Sequence, residues 1–262
     1  MQRHGRRGRR APAPTQVLAR ELCPNLVLIS PCCLRMLILW IVLKGHPSPV
    51  LKASNTYFRM DGKKNRWQRS WKKHRLQQVL HNLPAGNWGD GERGIACLPG
   101  REGEFQEGVG LAIEYAKALK CKYVDCLVGK TPQGIPPEKV RQTLVSNLRF
   151  AAAALEKEGI RLLIEPLNNQ DIPGFYLMHT RDALQLMQEV KHPNLWLQYD
   201  IYHMQIMEGN LLKTILNNLS RIAHIQIVDN PGRHEPGTGE INFTNLFRSI
   251  DEMGYSGWIG CE

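Results

Sequence analysis

The sequence lacks an apolar run long enough to cross a membrane. Residues 36–43 form an uninterrupted apolar run of eight residues, whereas a membrane helix needs ~20. The Arg-rich start resembles a transit peptide only in composition, and residues 44–47 are a poor site for signal-peptide cleavage. We therefore expect no stable membrane anchor.

The sequence also lacks the glycine motifs of nucleotide-binding folds. Neither Gly-x-Gly-x-x-Gly nor the full phosphate-binding motif Gly-x-x-x-x-Gly-Lys-Ser/Thr follows any of the predicted strands, which disfavours such a fold. No Cys-x-x-Cys pair occurs, and the seven cysteines are scattered. This distribution is typical of reduced thiols, not of a disulfide framework or a zinc site. We therefore expect a cytoplasmic protein with structural thiols, at Cys23, Cys32, Cys33, Cys97, Cys121, Cys126 and Cys261.

Positive charge is concentrated at one end of the chain. Residues 1–77 carry 17 Lys/Arg and 2 Asp/Glu, a balance of +15, and residues 78–262 carry 17 and 22, a balance of −5. Residues 63–73 are basic with interleaved tryptophans, a pattern that binds phosphate backbones in some proteins but is more often a solvated face. We expect a poorly ordered basic segment over 1–77 without nucleic-acid binding, followed by a folded domain over 78–262.

The folded part alternates apolar strands with amphipathic helices. Apolar strands joined by helical crossovers indicate a parallel sheet covered on both faces. We predict an α/β fold, a (β/α)₈ TIM barrel that is incomplete at both ends, because two N-terminal β/α units and the last helix are atypical or missing. The six predicted strands are 78–82, 123–128, 162–165, 195–200, 222–228 and 258–262.

Four of these strands carry an oxygen ligand near their carboxyl end. Strands of such a barrel converge on one mouth, where active sites lie, so Glu165, Asp200, Gln226 and Glu262 are expected to meet. Three carboxylates and an amide suit a hard cation, Mg²⁺ or Mn²⁺. His203 follows Asp200 by three residues and can lean over the same mouth if a helix starts there.

The loop over residues 229–240 is long, charged and rich in glycine and proline. Loops of this kind at a barrel mouth bind substrate, and Arg233 could hold a carboxylate through a two-point contact. A solvated turn is the alternative interpretation. The loop after the first predicted strand carries Trp88, which could exclude water from the site.

Several long segments resemble the hydroxypyruvate isomerase family, which belongs to the xylose-isomerase-like barrels. The resemblance covers about residues 74–262 and includes QYDIYHMQ at 198–205 and NPGRHEPGTGEIN at 230–242. Further matching segments are 81–86, 91–97, 163–166 and 260–262.

The resemblance implies the roles of individual residues. It implies a divalent metal at Glu165, Asp200, Gln226 and Glu262, with the two glutamates exchanging a proton. It also implies no organic cofactor, and weaker metal binding than in related sugar epimerases, which have histidine in place of Gln226. The residues expected to bind substrate are His203, Arg233, Glu235 and His81.

We therefore expect an isomerase that converts hydroxypyruvate to tartronate semialdehyde by metal-assisted proton transfer through an enediolate. Two alternatives stay open, a 2-oxo-tetronate isomerase and a catalytically impaired, truncated homologue. A metal-dependent nuclease of the same barrel type is disfavoured because the strand ends lack the histidines of a multi-zinc site. A basic nucleic-acid or membrane-surface binder with an inactive barrel is the alternative from another class. The sequence leaves both monomer and oligomer open.

Overall fold

The computed structural model describes residues 52–56 and 76–261. Within these residues, seven parallel strands form one sheet in chain order. The strands are β1 Lys52–Thr56, β2 Leu76–Asn82, β3 Tyr123–Cys126, β4 Arg161–Ile164, β5 Leu195–Asp200, β6 Ile222–Ile227 and β7 Trp258–Cys261. The α-helices are α1 Glu102–Leu119, α2 Pro137–Glu156, α3 Thr180–Val190, α4 Ile201–Met207, α5 Leu211–Asn218 and α6 Phe243–Glu252.

Six of the seven strands are those predicted from the sequence, and the parallel order confirms the barrel-type fold. The additional strand, β1, pairs in parallel with β2 and lies inside the segment 1–77, where we predicted no barrel strand. The rest of that segment, up to residue 75, lies outside the described residues. The spacing of apolar residues between β5 and β6 predicts one helix over 204–219. The chain instead forms two helices, because Gly209 and Asn210 adopt positive φ angles of 65° and 50° between α4 and α5.

A ring contact across the sheet shows that the sheet is curled. Tyr123 on β3 and His224 on β6 have ring centroids 6.4 Å apart, although two strands separate them. In a flat sheet, three strand spacings of about 4.8 Å would place these backbones ~14 Å apart. The side chains therefore meet inside a lumen, as expected for a barrel.

The two faces of the strands pack into different apolar clusters. Leu162 and Ile164 of β4 join the large core that contains the buried faces of the surrounding helices. Leu163, between them, belongs to a smaller cluster with Leu80 and Ala223. Alternation along a strand therefore assigns every second residue to the lumen and the others to the layer beneath the helices.

Helix α2 illustrates how the outer layer is formed. Pro137 opens the helix, where its missing N–H is not needed. Buried residues then recur every three or four positions, so one apolar stripe faces the sheet. The buried apolar residues of α2 are Val140, Leu144, Leu148, Ala151, Ala152 and Leu155.

None of the helices in the described part of the chain has both the length and the apolar content of a membrane span.

The loop after β2 packs tightly on the loop after β3 through Gly94. Its φ is 109°, and a Cβ there would lie 1.9 Å from the carbonyl oxygen of Leu127. The Gly94 N–H also donates to the Ala85 carbonyl at 2.9 Å. The glycine thus lets two loops at the carboxyl ends of adjacent strands come into backbone contact.

We expect Gly94→Ala to lower the free energy of unfolding by about 3 kcal/mol, because backbone strain and overpacking add together. Urea denaturation followed by circular dichroism would measure it. Gly100→Ala is the matched control, since Gly100 also has a positive φ, 89°, but no atom lies within 4 Å of its added Cβ. Equal losses in the two variants would show that the contact with Leu127 contributes nothing.

Candidate functional site

Two buried carboxylates and a histidine meet at the carboxyl ends of β4 and β5. Glu165 follows β4 on the same side as Leu163 and is 3% exposed, and Asp200 ends β5 fully buried. One ligand-capable atom from each of Glu165, Asp200 and His203 lies within 4.8 Å of the others. Within residues 76–261, this is the one group of three or more His, Cys, Asp or Glu side chains that could hold a cation.

Asp200 is fixed by the start of helix α4. Its Oδ1 accepts hydrogen bonds from the backbone N–H groups of Tyr202, at 2.8 Å, and His203, at 3.3 Å. Because Oδ1 caps the helix, Oδ2 does not take part in these two bonds. Burial raises the pKa of Asp200 to about 6, and the positive charge of Arg233 opposes that rise. A carboxylate this dehydrated gains from a cation beside it.

His203 lies in the first turn of α4 and is also buried, at 3% exposure. Its Nε2 is 3.8 Å from Asp200 Oδ2. Its Nδ1 contacts the backbone nitrogen of Asn168 at 3.2 Å and the Asn168 side-chain nitrogen at 2.7 Å. The ring packs edge-on against Tyr202, with centroids 5.3 Å apart. The loop after β4 therefore orients the histidine.

Gln226 is brought next to this cluster by the sheet register. It pairs with Asp200 on one side and with Gly260 on the other, and it is 2% exposed. Its side chain shares the lumen face of β6 with His224. Glu262, the fourth predicted ligand, lies outside the described residues, so its place in the site stays a prediction.

The loop after β6 is organised around one buried carboxylate. Asp229 is fully buried and accepts four backbone N–H bonds of 2.7 to 3.2 Å, which come from Asn230, Gly237, Gly239 and Ile241. The Asn230–Pro231 peptide within this loop is cis. The loop is therefore an ordered structure, not a solvated turn. We had not singled out Asp229 from the sequence, although an acid that opens a Gly-rich loop is a usable signal.

Arg233 extends from this loop toward the mouth. Its guanidinium lies 5.3 Å from the centre of the Tyr202 ring and 3.7 Å from Asp171 Oδ2. Asp171, in the loop after β4, also accepts a hydrogen bond of 3.4 Å from the Tyr202 hydroxyl. Two loops and the start of helix α4, which follow three successive strands, thus meet above the carboxylates. Glu235 is exposed, and its carbonyl accepts a hydrogen bond from Thr238.

His81 is not brought to this cluster. It pairs with Val124, which belongs to the helix-facing core. Its neighbour Asn82 points the other way and donates to Asp125 at 3.0 Å. His81 is fully buried on the helix side, and burial lowers its pKa to about 4.

Comparison with known proteins places the chain in a family. Residues 46–262 match the family model described as "Xylose isomerase-like TIM barrel". The chain belongs to the xylose isomerase-like TIM barrel family. The resemblance noted in the sequence is confirmed by the hydroxypyruvate isomerase of Escherichia coli (strain K12), which is 58% identical over 189 residues, 72% of this chain and 73% of that protein.

A second curated relative is also named an isomerase, and a solved structure shares the fold. The 2-oxo-tetronate isomerase of Cupriavidus necator is 42% identical over 187 residues, 71% of this chain and 72% of that protein. A crystal structure titled AP endonuclease, family 2, from Brucella melitensis superposes with a TM-score of 0.78 at 40% identity, covering 80% of this chain and 81% of that one. The two curated relatives named as isomerases confirm the prediction that the protein is an isomerase.

Proposed function

We propose that the protein interconverts hydroxypyruvate and tartronate semialdehyde. The observation that carries the proposal is the pair of buried carboxylates, Glu165 and Asp200, at adjacent strand ends beneath an arginine-bearing loop. Such a site can move a proton between neighbouring carbons while a cationic group holds the carboxylate of an oxo-acid. The 58% identity to a hydroxypyruvate isomerase supports the choice of substrate.

The buried residues fit a divalent cation. Two carboxylates and the Gln226 amide offer oxygen ligands, and Asp200 has a raised pKa that a cation would reverse. Glu165, Asp200 and Gln226 would hold Mg²⁺ or Mn²⁺, together with Glu262. When bound, the cation supplies Lewis-acid polarisation of the substrate oxygens. No organic cofactor is required.

The side chains divide the remaining work. One of Glu165 and Glu262 removes the proton from C3 of hydroxypyruvate, and the other returns a proton to C2 of the enediolate, while the hydroxyl proton passes from O3 to O2. His203 holds a substrate oxygen. Arg233 pairs with the substrate carboxylate. A two-point pair with that carboxylate is stronger than the present contact between Arg233 and Asp171, which is long at 3.7 Å. The low exposure of Glu165 keeps water away from the proton being moved.

Direct turnover tests the proposal. Purified protein is incubated with hydroxypyruvate, and the appearance of the aldehyde proton is followed by NMR with and without a chelator. We expect turnover that stops with the chelator and returns when Mg²⁺ or Mn²⁺ is added. No turnover with either metal would overturn the assignment.

A second substrate is favoured by the relatives named 2-oxo-tetronate isomerase, one of which is 42% identical to this chain. The chemistry is the same, but the substrate is one carbon longer and needs a roomier mouth. Comparing kcat/KM for the two oxo-acids in one preparation separates the two functions. A higher value for 2-oxo-tetronate would assign the longer substrate.

The metal site is expected to weaken in acid. A cation binds the deprotonated carboxylate, and the pKa of Asp200 in the metal-free protein is about 6. Above that pH, protons no longer compete with the cation for the Asp200 carboxylate. Below it, the metal affinity falls about tenfold for each pH unit. Mn²⁺ titrations followed by electron paramagnetic resonance between pH 5 and 8 would measure the slope, and a constant affinity would remove Asp200 from the ligand set.

Gln226→His is expected to tighten Mn²⁺ binding, because imidazole is a better ligand than an amide for transition metals. Gln226 sits beside Asp200 in the register, so a histidine nitrogen there reaches the same cation. Gln205→His is the control, since Gln205 lies in α4 and its side chain donates a hydrogen bond to the exposed Glu240. Unchanged or weaker affinity in Gln226→His would remove Gln226 from the site.

We further propose a cytoplasmic protein. All four cysteines in the described part of the chain are free, and Cys97, Cys121 and Cys126 are buried. These properties suit a reducing compartment.

A further inference from the structure

The starting observation is that Asn168 forms two hydrogen bonds to one nitrogen of His203. Asn168 lies in the loop after β4 and is fully buried. Its backbone N–H points at His203 Nδ1 from 3.2 Å, and its side-chain Nδ2 lies 2.7 Å from the same atom.

The direction of both bonds is fixed by backbone groups. A backbone N–H can only donate, so Nδ1 of His203 must be an acceptor and carry no proton. The orientation of the Asn168 amide is set separately, because its Oδ1 accepts from the backbone N–H groups of Gln170, at 3.0 Å, and Asp171, at 2.8 Å. The Nδ2 end must therefore face the histidine as a second donor.

The proton of the neutral imidazole is then left on Nε2, the nitrogen that lies 3.8 Å from Asp200 Oδ2. A ring in this tautomer has no lone pair on Nε2 for a cation. The three-residue cluster thus divides into two carboxylates that can bind the metal and one N–H group directed into the same space.

We propose that Asn168 is a positioning residue that holds His203 as the neutral Nε2–H tautomer, and so makes the histidine a hydrogen-bond donor to a substrate oxygen. The donation to substrate rests on the proposed function. The tautomer is a property of the protein alone and is tested without substrate.

Asn168 also links the histidine to the arginine. Its Nδ2 donates to Asp171 Oδ2 at 3.1 Å, and that oxygen lies 3.7 Å from Arg233. The two protons of Nδ2 are thereby used, one on His203 and one on Asp171. The buried Asn168 amide therefore orients two groups. One is the His203 N–H that donates to a substrate oxygen, and the other is the Asp171 carboxylate beside the Arg233 guanidinium.

The tautomer is measured by ¹⁵N NMR of metal-free protein labelled at histidine, with the His203 signals assigned by their loss in His203→Gln. We expect Nδ1 to show the shift of an unprotonated ring nitrogen and Nε2 that of a protonated one. A proton on Nδ1 in the wild-type protein overturns the proposal.

Variants test whether Asn168 is the cause. Asn168→Asp keeps the acceptor for Gln170 and Asp171, and it keeps the backbone N–H 3.2 Å from Nδ1 of His203. It replaces the closer side-chain donor, at 2.7 Å, with a carboxylate oxygen. A charge-assisted bond to that carboxylate is stronger than the longer backbone contact, so we expect a protonated Nδ1 and a 10- to 100-fold lower kcat with a smaller change in KM. The double variant N168D/D171N removes the repulsion between the two carboxylates and is expected to show the same protonated Nδ1. A proton that stays on Nε2 alone in both variants overturns the proposal.

Asn194→Asp is the matched control. Asn194 is another buried amide, which donates to the carbonyls of Ala152 and Ile160 at 3.1 and 2.8 Å, away from the site. We expect its His203 signals to match the wild type, and a change as large as that of Asn168→Asp would contradict a local cause. Should wild-type protein fail to convert hydroxypyruvate while Asn168→Asp still shifts the proton, the tautomer assignment stands and the proposed substrate falls.

Metal affinity gives an independent readout. In the Nε2–H tautomer His203 is not a ligand, so His203→Gln should bind Mn²⁺ within about threefold of wild type, whereas Asp200→Asn should bind far more weakly. An equal loss in the two variants would show that His203 supplies a lone pair to the cation, and the proposal would fail.

Discussion

Glu165→Gln is expected to lower kcat for hydroxypyruvate by about 10²- to 10⁴-fold, the usual contribution of a general acid or base. Glutamine has the same shape but cannot accept a proton at working pH. Glu165 is 3% exposed, so no water layer is in place to take over its role. The fold should persist, because replacing a buried charge with a neutral amide of equal size does not leave an unpaired ion.

The measurement needs saturating substrate and metal, since Glu165 is also a proposed ligand. Mn²⁺ affinity is determined first, and kcat is then compared at full occupancy. Glu107→Gln serves as the control, because Glu107 is exposed on α1, far along the chain from the strand ends. A kcat close to wild type with the metal bound would show that Glu165 does not carry the proton.

Much of the fold followed from alternation along the strands. Apolar strands between amphipathic helices predicted the parallel sheet, and six strands appear where expected. Strand β1, with the sequence KASNT, was missed because it is short and carries mostly polar residues. The break between α4 and α5 was missed because a single Gly209 is tolerated in many helices, and only its left-handed backbone ends this one.

The site was predictable where it depends on the alternation of side chains between the two faces of a strand. Glu165, Asp200 and Gln226 end up on the lumen side because each lies an even number of residues from a lumen residue of its own strand, such as Leu163 or His224. The same rule explains His81, which alternates with Asn82 and therefore faces the helices. Alternation predicts which face a residue occupies only when another residue of the same strand has already been assigned to a face.

The contacts between loops were not predictable from the sequence. Asn168 and Asp171 lie in an irregular segment with no period, and their partners His203 and Arg233 are 35 and 62 positions further along the chain. Only the closed geometry of the mouth brings these loops together. Side-chain hydrogen bonds at such distances in sequence depend on the tertiary fold, so the positioning network appears only in the structure.

Asp229→Asn is expected to disorder the loop that carries Arg233 and to lower kcat/KM by at least about tenfold. The Asp229 carboxylate accepts two N–H bonds on Oδ2, from Gly237 and Gly239, and two on Oδ1. An asparagine can satisfy only one pair. Its NH₂ group would then face two donors in a fully buried position, where each lost charge-assisted bond costs about 1.5 to 3 kcal/mol.

Two further variants make this prediction specific. Gly239→Ala should damage the same loop, because an added Cβ would lie 2.3 Å from the Asn230 carbonyl oxygen and 2.6 Å from Asp229 Oδ1. Asp251→Asn, on the exposed face of α6 just after the loop, should leave activity unchanged. Limited proteolysis would locate new cleavage between residues 230 and 241 in the first two variants. Wild-type protection of that segment in Asp229→Asn, together with normal kcat/KM, would show that the loop is held by other contacts and that the buried carboxylate is dispensable for substrate binding.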